Sequence, residues 1–257
     1  MKRTPTVAPA LPAALRELFS KGQVYDSSCS REARVLYLDR DGGYYLKRAP
    51  AGSLRREWEM TSYFYSIGLS VEPLAYITEG EDYLLTRAAV AEDATDARYL
   101  SEPRRLAEWL GTTLRALHET PCDACPVPDR TADYLATVEE GARIGRFDPE
   151  FSPIAGVSPT AALAEVRAAA GAMTSRVLLH GDYCLPNVLL DGWRLSAFID
   201  LGAAGRGDRH IDLFWGAWTL GFNLGTDAYR NRFFDAYGRA DIDPAIIRAV
   251  GFAECFG

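Results

Sequence analysis

An α+β fold of two lobes, a small antiparallel-sheet lobe followed by a larger, mainly helical one, is what the sequence predicts, on three observations. Residues up to about 88 alternate strand-forming side chains around tight turns. From about 92 onward the apolar residues fall at the three-to-four spacing of amphipathic helices. One later stretch, VLLHGDYCLPNVLLDGWRLSAFIDLGAAG over 177–205, breaks those helices with short apolar, strand-like runs carrying a histidine, an amide and two acids at their ends. The expected division is a sheet lobe at 1–88, a linker at about 86–91 and a helical lobe at 92–257.

The first lobe opens with MKRTPTVAPALPAALRELF, whose basic start resembles a signal peptide. Pro5, Pro9 and Pro12 interrupt it, and Arg16 and Glu17 close it before an apolar core forms, so it reads as a loose tail running into a short helix. RVLYLDRDGGYYLKR follows, alternating around Asp-Gly-Gly, a strong hairpin signal. Period two puts Tyr45 and Lys47 on one face of the second strand and Tyr44, Leu46 and Arg48 on the other. The segment SLRREWEMTSYFYSIG places Met60, Tyr63, Phe64 and Ile67 at helical spacing and stops at Gly68. PLAYITEGEDYLLT is a second hairpin turning at Glu79 to Asp82, and RAAVAEDAT is a connector.

SEPRRLAEWLGTTLRALHE then predicts a helix, with Ser101 as its cap and Leu106, Trp109, Leu110, Leu114 and Leu117 on one stripe. TAALAEVRAAAGA reads as another helix. In the 177–205 stretch, Asp191-Gly192-Trp193 is a tight turn that folds NVLL and LSAFI onto each other. That hairpin brings Asn187 and Asp200 together, with Asp182 in the loop just before it.

At 257 residues the chain can bury a substantial core. Its net charge of -7 argues against a general nucleic-acid binder and suits a cationic ligand, although it equally serves solubility. LFWGAWTLGFNLG is too short to cross a bilayer and holds three glycines. A cytoplasmic protein that engages neither nucleic acid nor membrane, monomeric or homodimeric, is expected. Five cysteines without a secretory context are expected to be reduced. Cys122 and Cys125 form a CxxC, but no second pair exists and the three histidines are scattered, which disfavours a zinc site.

A buried carboxylate needs a cation, a proton or a ligand. Asn187 and Asp200 at the mouth of one hairpin are hard oxygen donors suited to Mg2+, which binds through one or two carboxylates plus substrate phosphates. Asp182, five residues before the amide, can orient a hydroxyl and accept its proton as phosphorus is attacked. A lysine on a strand of the preceding lobe is the expected partner for nucleotide phosphates, with an acid on the next helix to hold it.

HGDYCLPN, then FIDLG, then GRGDRHIDL, together with YYLK, REWEM, LLT and RALHETP in the same order, resemble the aminoglycoside phosphotransferases, specifically the 3'-phosphotransferase branch, which have a protein-kinase-like fold. The resemblance covers most of the chain and implies ATP-dependent phosphorylation of an aminoglycoside hydroxyl, the 3' in this branch, conferring resistance. It implies ATP, with GTP as the alternative donor, and Mg2+. Carried over residue by residue, Asp182 is the catalytic acid, and Asn187 and Asp200 are the magnesium ligands. Lys47 contacts the phosphates and Glu57 pairs with it. Periodicity alone leaves Glu57 and Glu59 open, and only the REWEM match favours Glu57. Tyr45 is placed to stack on adenine, backbone near Ala89 bonds its edge, and the phosphate-covering loop falls in DSSCSREA, with Ser30 as its candidate.

His180 is expected to hold the Asp182 loop, His118 to pack at a helix end, and Asp208 and Asp212 to stabilise a turn and cap the next helix. The chain departs from the branch where an arginine usually follows the IDxG glycine; Ala203 stands there, and Arg206 is the candidate substitute. Acids for an aminocyclic acceptor are sparse, leaving Asp148, Glu150, Asn223, Glu254 and the Gly257 carboxylate as substrate-binding candidates. Trp215, Trp218 and Phe222 share helical spacing and read equally as core or as substrate surface. The alternatives that remain are a sugar or amino-alcohol kinase of the same fold and a nucleotide-binding pseudoenzyme. The short distance from FIDLG to the next helix disfavours a protein kinase.

Overall fold

The computed structural model describes residues 3–7, 9–29 and 33–257. In chain order they form β1 (Thr4–Thr6), α1 (Ala13–Phe19), β2 (Gln23–Asp26), β3 (Arg34–Asp39), β4 (Tyr44–Pro50) and α2 (Arg55–Ser66). Then come β5 (Pro73–Glu79), β6 (Glu81–Arg87), β7 (Glu92–Asp93), α3 (Ala97–Leu100), α4 (Pro103–His118), α5 (Arg130–Arg143) and α6 (Pro159–Ala170). The remainder is β8 (Val177–Leu179), β9 (Val188–Asp191), β10 (Arg194–Phe198), β11 (Gly205–Gly207), α7 (Arg209–Leu224), α8 (Arg230–Tyr237) and α9 (Pro244–Glu254). The chain folds as two compact units: residues up to Asp96 with Pro186–Ala203, and Ala97–Leu185 with Ala204–Gly257.

In the first unit the described residues build a six-stranded antiparallel sheet of order β1-β2-β3-β4-β6-β5. The β3–β4 turn works because Asp41 and Gly42 both adopt left-handed φ, 48° and 88°, which matches the strand twist. Leu36, Leu38, Tyr44 and Leu46 point to one face and are buried against Leu15 and Phe19 of α1. Tyr45 and Lys47 therefore face the other way, as the alternation predicts. The opening segment is not a loose tail: Thr4–Thr6 pairs with Val24–Asp26 and extends the sheet.

The buried side of α2 is Glu57, Met60, Thr61 and Phe64, an i, i+3, i+4, i+7 stripe that includes an acid. Ile67, expected on that stripe, lies past the helix end and is 37% exposed. Asp82, fully buried on β6, fixes where α2 begins, accepting from the Leu54 N–H (2.9 Å), Tyr76 Oη (3.0 Å) and Thr78 Oγ1 (2.8 Å). β9 and β10 form the expected hairpin, with Gly192 and Trp193 at φ 52° and 70°, and β7 joins the other edge of β9. Phe198 of β10 meets Phe64 of α2 edge-on at 6.3 Å.

The second unit is mainly helical. Its core gathers Val138, Ala162, Val166, Ile211, Val250 and Phe252, with Val177 and Leu179 from β8, which pairs with β11. α4 begins at Pro103 with Glu102 at its cap position, not Ser101; the Ser101 hydroxyl donates to the Arg98 carbonyl at 3.0 Å and closes α3 instead. α4 and α8 approach closely because Gly111 has no side chain: a Cβ there would lie 2.4 Å from the Phe233 carbonyl oxygen. Among the described residues, no helix is long and apolar enough to cross a membrane.

Candidate active site

Within the first unit lies a cavity of about 560 Å3, in the range of small-molecule sites, and all its lining residues belong to that unit. Lys47 lines it. Its Nζ lies 2.7 Å from Glu57 Oε2 and 2.7 Å from Asp200 Oδ1. Burial works against the ammonium, but the two carboxylates more than offset it and hold Lys47 above its ordinary value. Burial pushes Glu57 up; Lys47 opposes that shift and Asp200 adds to it. The choice between the two helix acids is resolved by geometry, since Glu59 pairs with Arg55 on its own helix at 3.0 Å.

Asn187 and Asp200 both line the cavity, and the Ile199 N–H donating to the Asn187 carbonyl at 3.0 Å closes the hairpin between them. Asp200 has φ 59°, a left-handed backbone uncommon for a non-glycine residue, which turns its carboxylate toward Lys47 as β10 ends. An amide oxygen and a carboxylate fit Mg2+, which would complete its shell with phosphate and water. The described residues contain no cluster of three or more His, Cys, Asp or Glu that could hold a metal by itself. Tyr45 and Ala89 also line the cavity. Ser30, the candidate for the phosphate-covering loop, lies outside the described residues.

Asp182 belongs to the second unit, in a loop held by buried polar groups. His180 Nδ1 accepts from the Asp182 N–H at 3.3 Å, the holding role expected of that histidine. The Asp212 carboxylate, fully buried, accepts from the N–H groups of His180 (2.8 Å) and Gly181 (2.7 Å) and from His118 Nε2 (3.1 Å). Because Asp212 is already the acceptor, His118 donates from Nε2 and accepts the Tyr237 hydroxyl at Nδ1, 2.8 Å away. Burial keeps the His118 pKa low, so the ring is neutral. Asp208 caps α7 as expected, while Asp212 is a tie for the Asp182 loop rather than a cap. His118 likewise does more than pack. Cys184, two residues after Asp182, has its thiol pKa driven far up by burial, and the Asp182 charge adds to that.

The substrate candidates separate. Asp148 caps a short 3-10 turn by accepting from the Glu150 N–H at 3.0 Å, and Glu150 is exposed. The Asn223 amide folds back on its own helix, donating to the Thr219 carbonyl at 2.8 Å. Gly257 is exposed and its N–H donates to the Glu254 carbonyl at 3.3 Å. Trp215 and Trp218 pack half-buried against the core, whereas Phe222 is 68% exposed and stacks on Trp218 at 5.0 Å. Arg206, the suggested substitute for an arginine at 203, donates from Nε to the Pro128 carbonyl at 2.9 Å.

Glu254 is the candidate that shares a field with Asp182. Burial raises its pKa to about 7; the donors Tyr134 Oη (2.8 Å) and the Trp215 side chain pull it back, and the Asp182 charge pushes it up again. The native carboxyl keeps its proton to about pH 7, whereas its ordinary value is 4.5, so between those values the folded state binds more protons and stability falls as pH rises. The difference is on the order of 3 kcal/mol. Glu254→Gln is expected to flatten this slope: melting curves from pH 5 to 8 should fall with pH in the parent and stay level in the variant. Parallel profiles would remove Glu254 as the cause.

Comparison with known proteins gives a consistent result. The family model described as "Phosphotransferase enzyme family" matches residues 28–250. A relative named "Probable aminoglycoside 3'-phosphotransferase", from Lactococcus lactis subsp. lactis (strain IL1403), is 44% identical over 248 residues, covering 96% of this chain and 95% of the relative. A crystal structure of a type VIII aminoglycoside-3'-phosphotransferase shares the fold, with a TM-score of 0.77 at 24% identity over 95% of this chain and 97% of the other. The aminoglycoside phosphotransferase APH(3'')-Id from Streptomyces rimosus ATCC10970, solved in complex with ADP and streptomycin, aligns with a TM-score of 0.72 at 26% identity, covering 87% and 90% of the two chains.

Proposed function

The chain belongs to the phosphotransferase enzyme family, and from that premise we propose that it transfers a phosphoryl group from ATP to the 3'-hydroxyl of an aminoglycoside, conferring resistance to such drugs. It is a phosphotransferase with an alcohol group as acceptor. The observation that carries the reading furthest is the placement of Lys47, with Glu57 and Asp200 each 2.7 Å from its ammonium, in a nucleotide-sized cavity.

In this mechanism Lys47 meets the nucleotide phosphates while Glu57 keeps its ammonium aimed and charged. Tyr45 offers a face to the purine, and backbone near Ala89 bonds the base edge. Asn187 and Asp200 would hold Mg2+, which neutralises phosphate charge when bound. Asp182 accepts the proton of the acceptor hydroxyl as its oxygen attacks the γ-phosphorus and the bond to ADP breaks. Its loop is kept in place by Asp212, so the base does not reorganise during the step. The residues up to Asp96 with Pro186–Ala203 form the nucleotide-binding unit on this reading, and the second unit carries the base and the acceptor contacts.

The biological test is growth of a susceptible host expressing the chain. Tolerance of kanamycin-type or neomycin-type drugs, lost with Asp182→Ala, is the expected result. No tolerance, with robust phosphorylation of a sugar or amino alcohol by the purified protein, would transfer the enzyme to metabolic substrates.

A further inference from the structure

Three tyrosines stand in register on the sheet face that carries Lys47. Tyr25 pairs with Tyr37 across β2–β3, and Tyr37 pairs with Tyr45 across β3–β4. Their ring centroids are 6.1 and 5.1 Å apart. β1 brings Arg3 over this ladder, because its register sets Pro5 opposite Tyr25. The Arg3 guanidinium carbon lies 3.4 Å from the Tyr37 ring centroid, and Nη2 donates to the Tyr45 hydroxyl at 3.0 Å. Arg3 and Tyr45 both line the cavity.

An exposed arginine gives up rotamer freedom when held in one geometry, so a guanidinium stacked on one ring and bonded to the next does local work. Tyr45 is on an inner strand, its ring packs against Tyr37, and its hydroxyl is held by Arg3. A planar five-donor group suits this, since one edge bonds the hydroxyl while the plane rests on Tyr37; a lysine could supply the charge but not both contacts.

We propose that Arg3 is a positioning residue for the nucleotide: stacked on Tyr37 and bonded to the Tyr45 hydroxyl, it holds the Tyr45 ring in the orientation that receives the purine base. The proposal rests on Tyr45 being the base-stacking residue. It makes β1 part of the nucleotide site rather than only an edge of the sheet.

Calorimetric titration of the full chain with Mg-ADP tests it, using Arg3→Ala, Arg3→Lys, Tyr45→Phe, the Arg3→Ala/Tyr45→Phe double variant, and Tyr45→Ala. Arg3→Ala is expected to weaken ADP binding about threefold to tenfold, because the Tyr45 ring must then be immobilised when the nucleotide binds. Tyr45→Phe keeps the ring but removes the acceptor, so it should weaken binding similarly, and the double variant should be no worse than either single one. Arg3→Lys should recover only part of the loss. In steady-state assays the KM for ATP should rise while the KM for the acceptor and the melting temperature hold, a split that a merely structural edge strand would not produce. Unchanged ADP binding in Arg3→Ala alongside weakened binding in Tyr45→Ala overturns the role of Arg3 alone. Unchanged binding in Tyr45→Ala overturns the stacking role of Tyr45 beneath it.

Discussion

Asp182→Ala is expected to lower kcat by about 100- to 10,000-fold, the usual contribution of a positioned general base, while the Kd for Mg-ADP stays within about twofold of the parent. The separation follows from where the residues lie. Every residue lining the nucleotide cavity belongs to the first unit, and Asp182 belongs to the second. The loop keeps the ties of the His180 and Gly181 N–H groups to Asp212 and of the Asp182 N–H to His180 Nδ1, none of which needs the Asp182 carboxylate. Asp182→Asn, which keeps the shape and loses the basicity, should be nearly as slow. Rapid-quench measurement of a single turnover reads the chemical step directly. Near-parental rates in either variant would mean that the hydroxyl is deprotonated without Asp182.

Asp212→Ala should be the most damaging single change to the fold. Its carboxylate takes two backbone N–H groups and the His118 ring in a fully buried setting. Removing it leaves three buried neutral donors unsatisfied, each worth about 1–3 kcal/mol, for a total on the order of 3–5 kcal/mol after local relaxation. For a protein of this size that corresponds to a fall in Tm of roughly 6–20 °C. Activity should drop as well, even far below the new melting point, because the loop that carries Asp182 loses its anchor. Asp212→Asn retains one acceptor oxygen and should fall between. Thermal melts and kcat measured at 15 °C check both halves; a variant with parental Tm would show that water or another acceptor takes over the site.

The parts of this site that follow local rules were legible in the sequence. Alternation put Tyr45 and Lys47 on one face, and two tight turns, Asp-Gly-Gly and Asp-Gly-Trp, set the hairpins that aim Lys47 and bring Asn187 near Asp200. The parts that depend on partners from distant segments were not. Periodicity left Glu57 and Glu59 open and only the REWEM resemblance named Glu57; its burial makes sense only with the Lys47 ammonium beside it. Asp212 looked like one more acid in the first turn of a helix, where acids are favoured anyway. Its ties to His118 and the 180–181 backbone span long stretches of chain, and no spacing rule reports them.

β1 was missed for a related reason. Thr4-Pro5-Thr6 is three residues with a central proline, a poor strand by propensity that exists because β2 offers it an edge. Asp82 reads as a hairpin acid, yet it is the buried acceptor that fixes the start of α2 and so the height of Glu57 in the cavity. Set against the 3'-phosphotransferase pattern, acids are sparse among the substrate-binding candidates, and the structure adds that Asn223 and Asp148 spend polar atoms on their own backbone neighbourhoods. Within the aromatic run Trp215 and Trp218 pack against the core, and Phe222 lies in solvent.

ADP release with ATP, Mg2+ and matched aminoglycosides that differ only in the presence or absence of the 3'-hydroxyl reports whether the chain moves the ATP γ-phosphoryl group to that position. Turnover with the 3'-hydroxyl drug and none with its 3'-deoxy counterpart is the predicted result. Equal turnover with both would place the phosphate elsewhere on the drug, and no turnover with either, while Mg-ADP still binds, would contradict the acceptor assignment altogether.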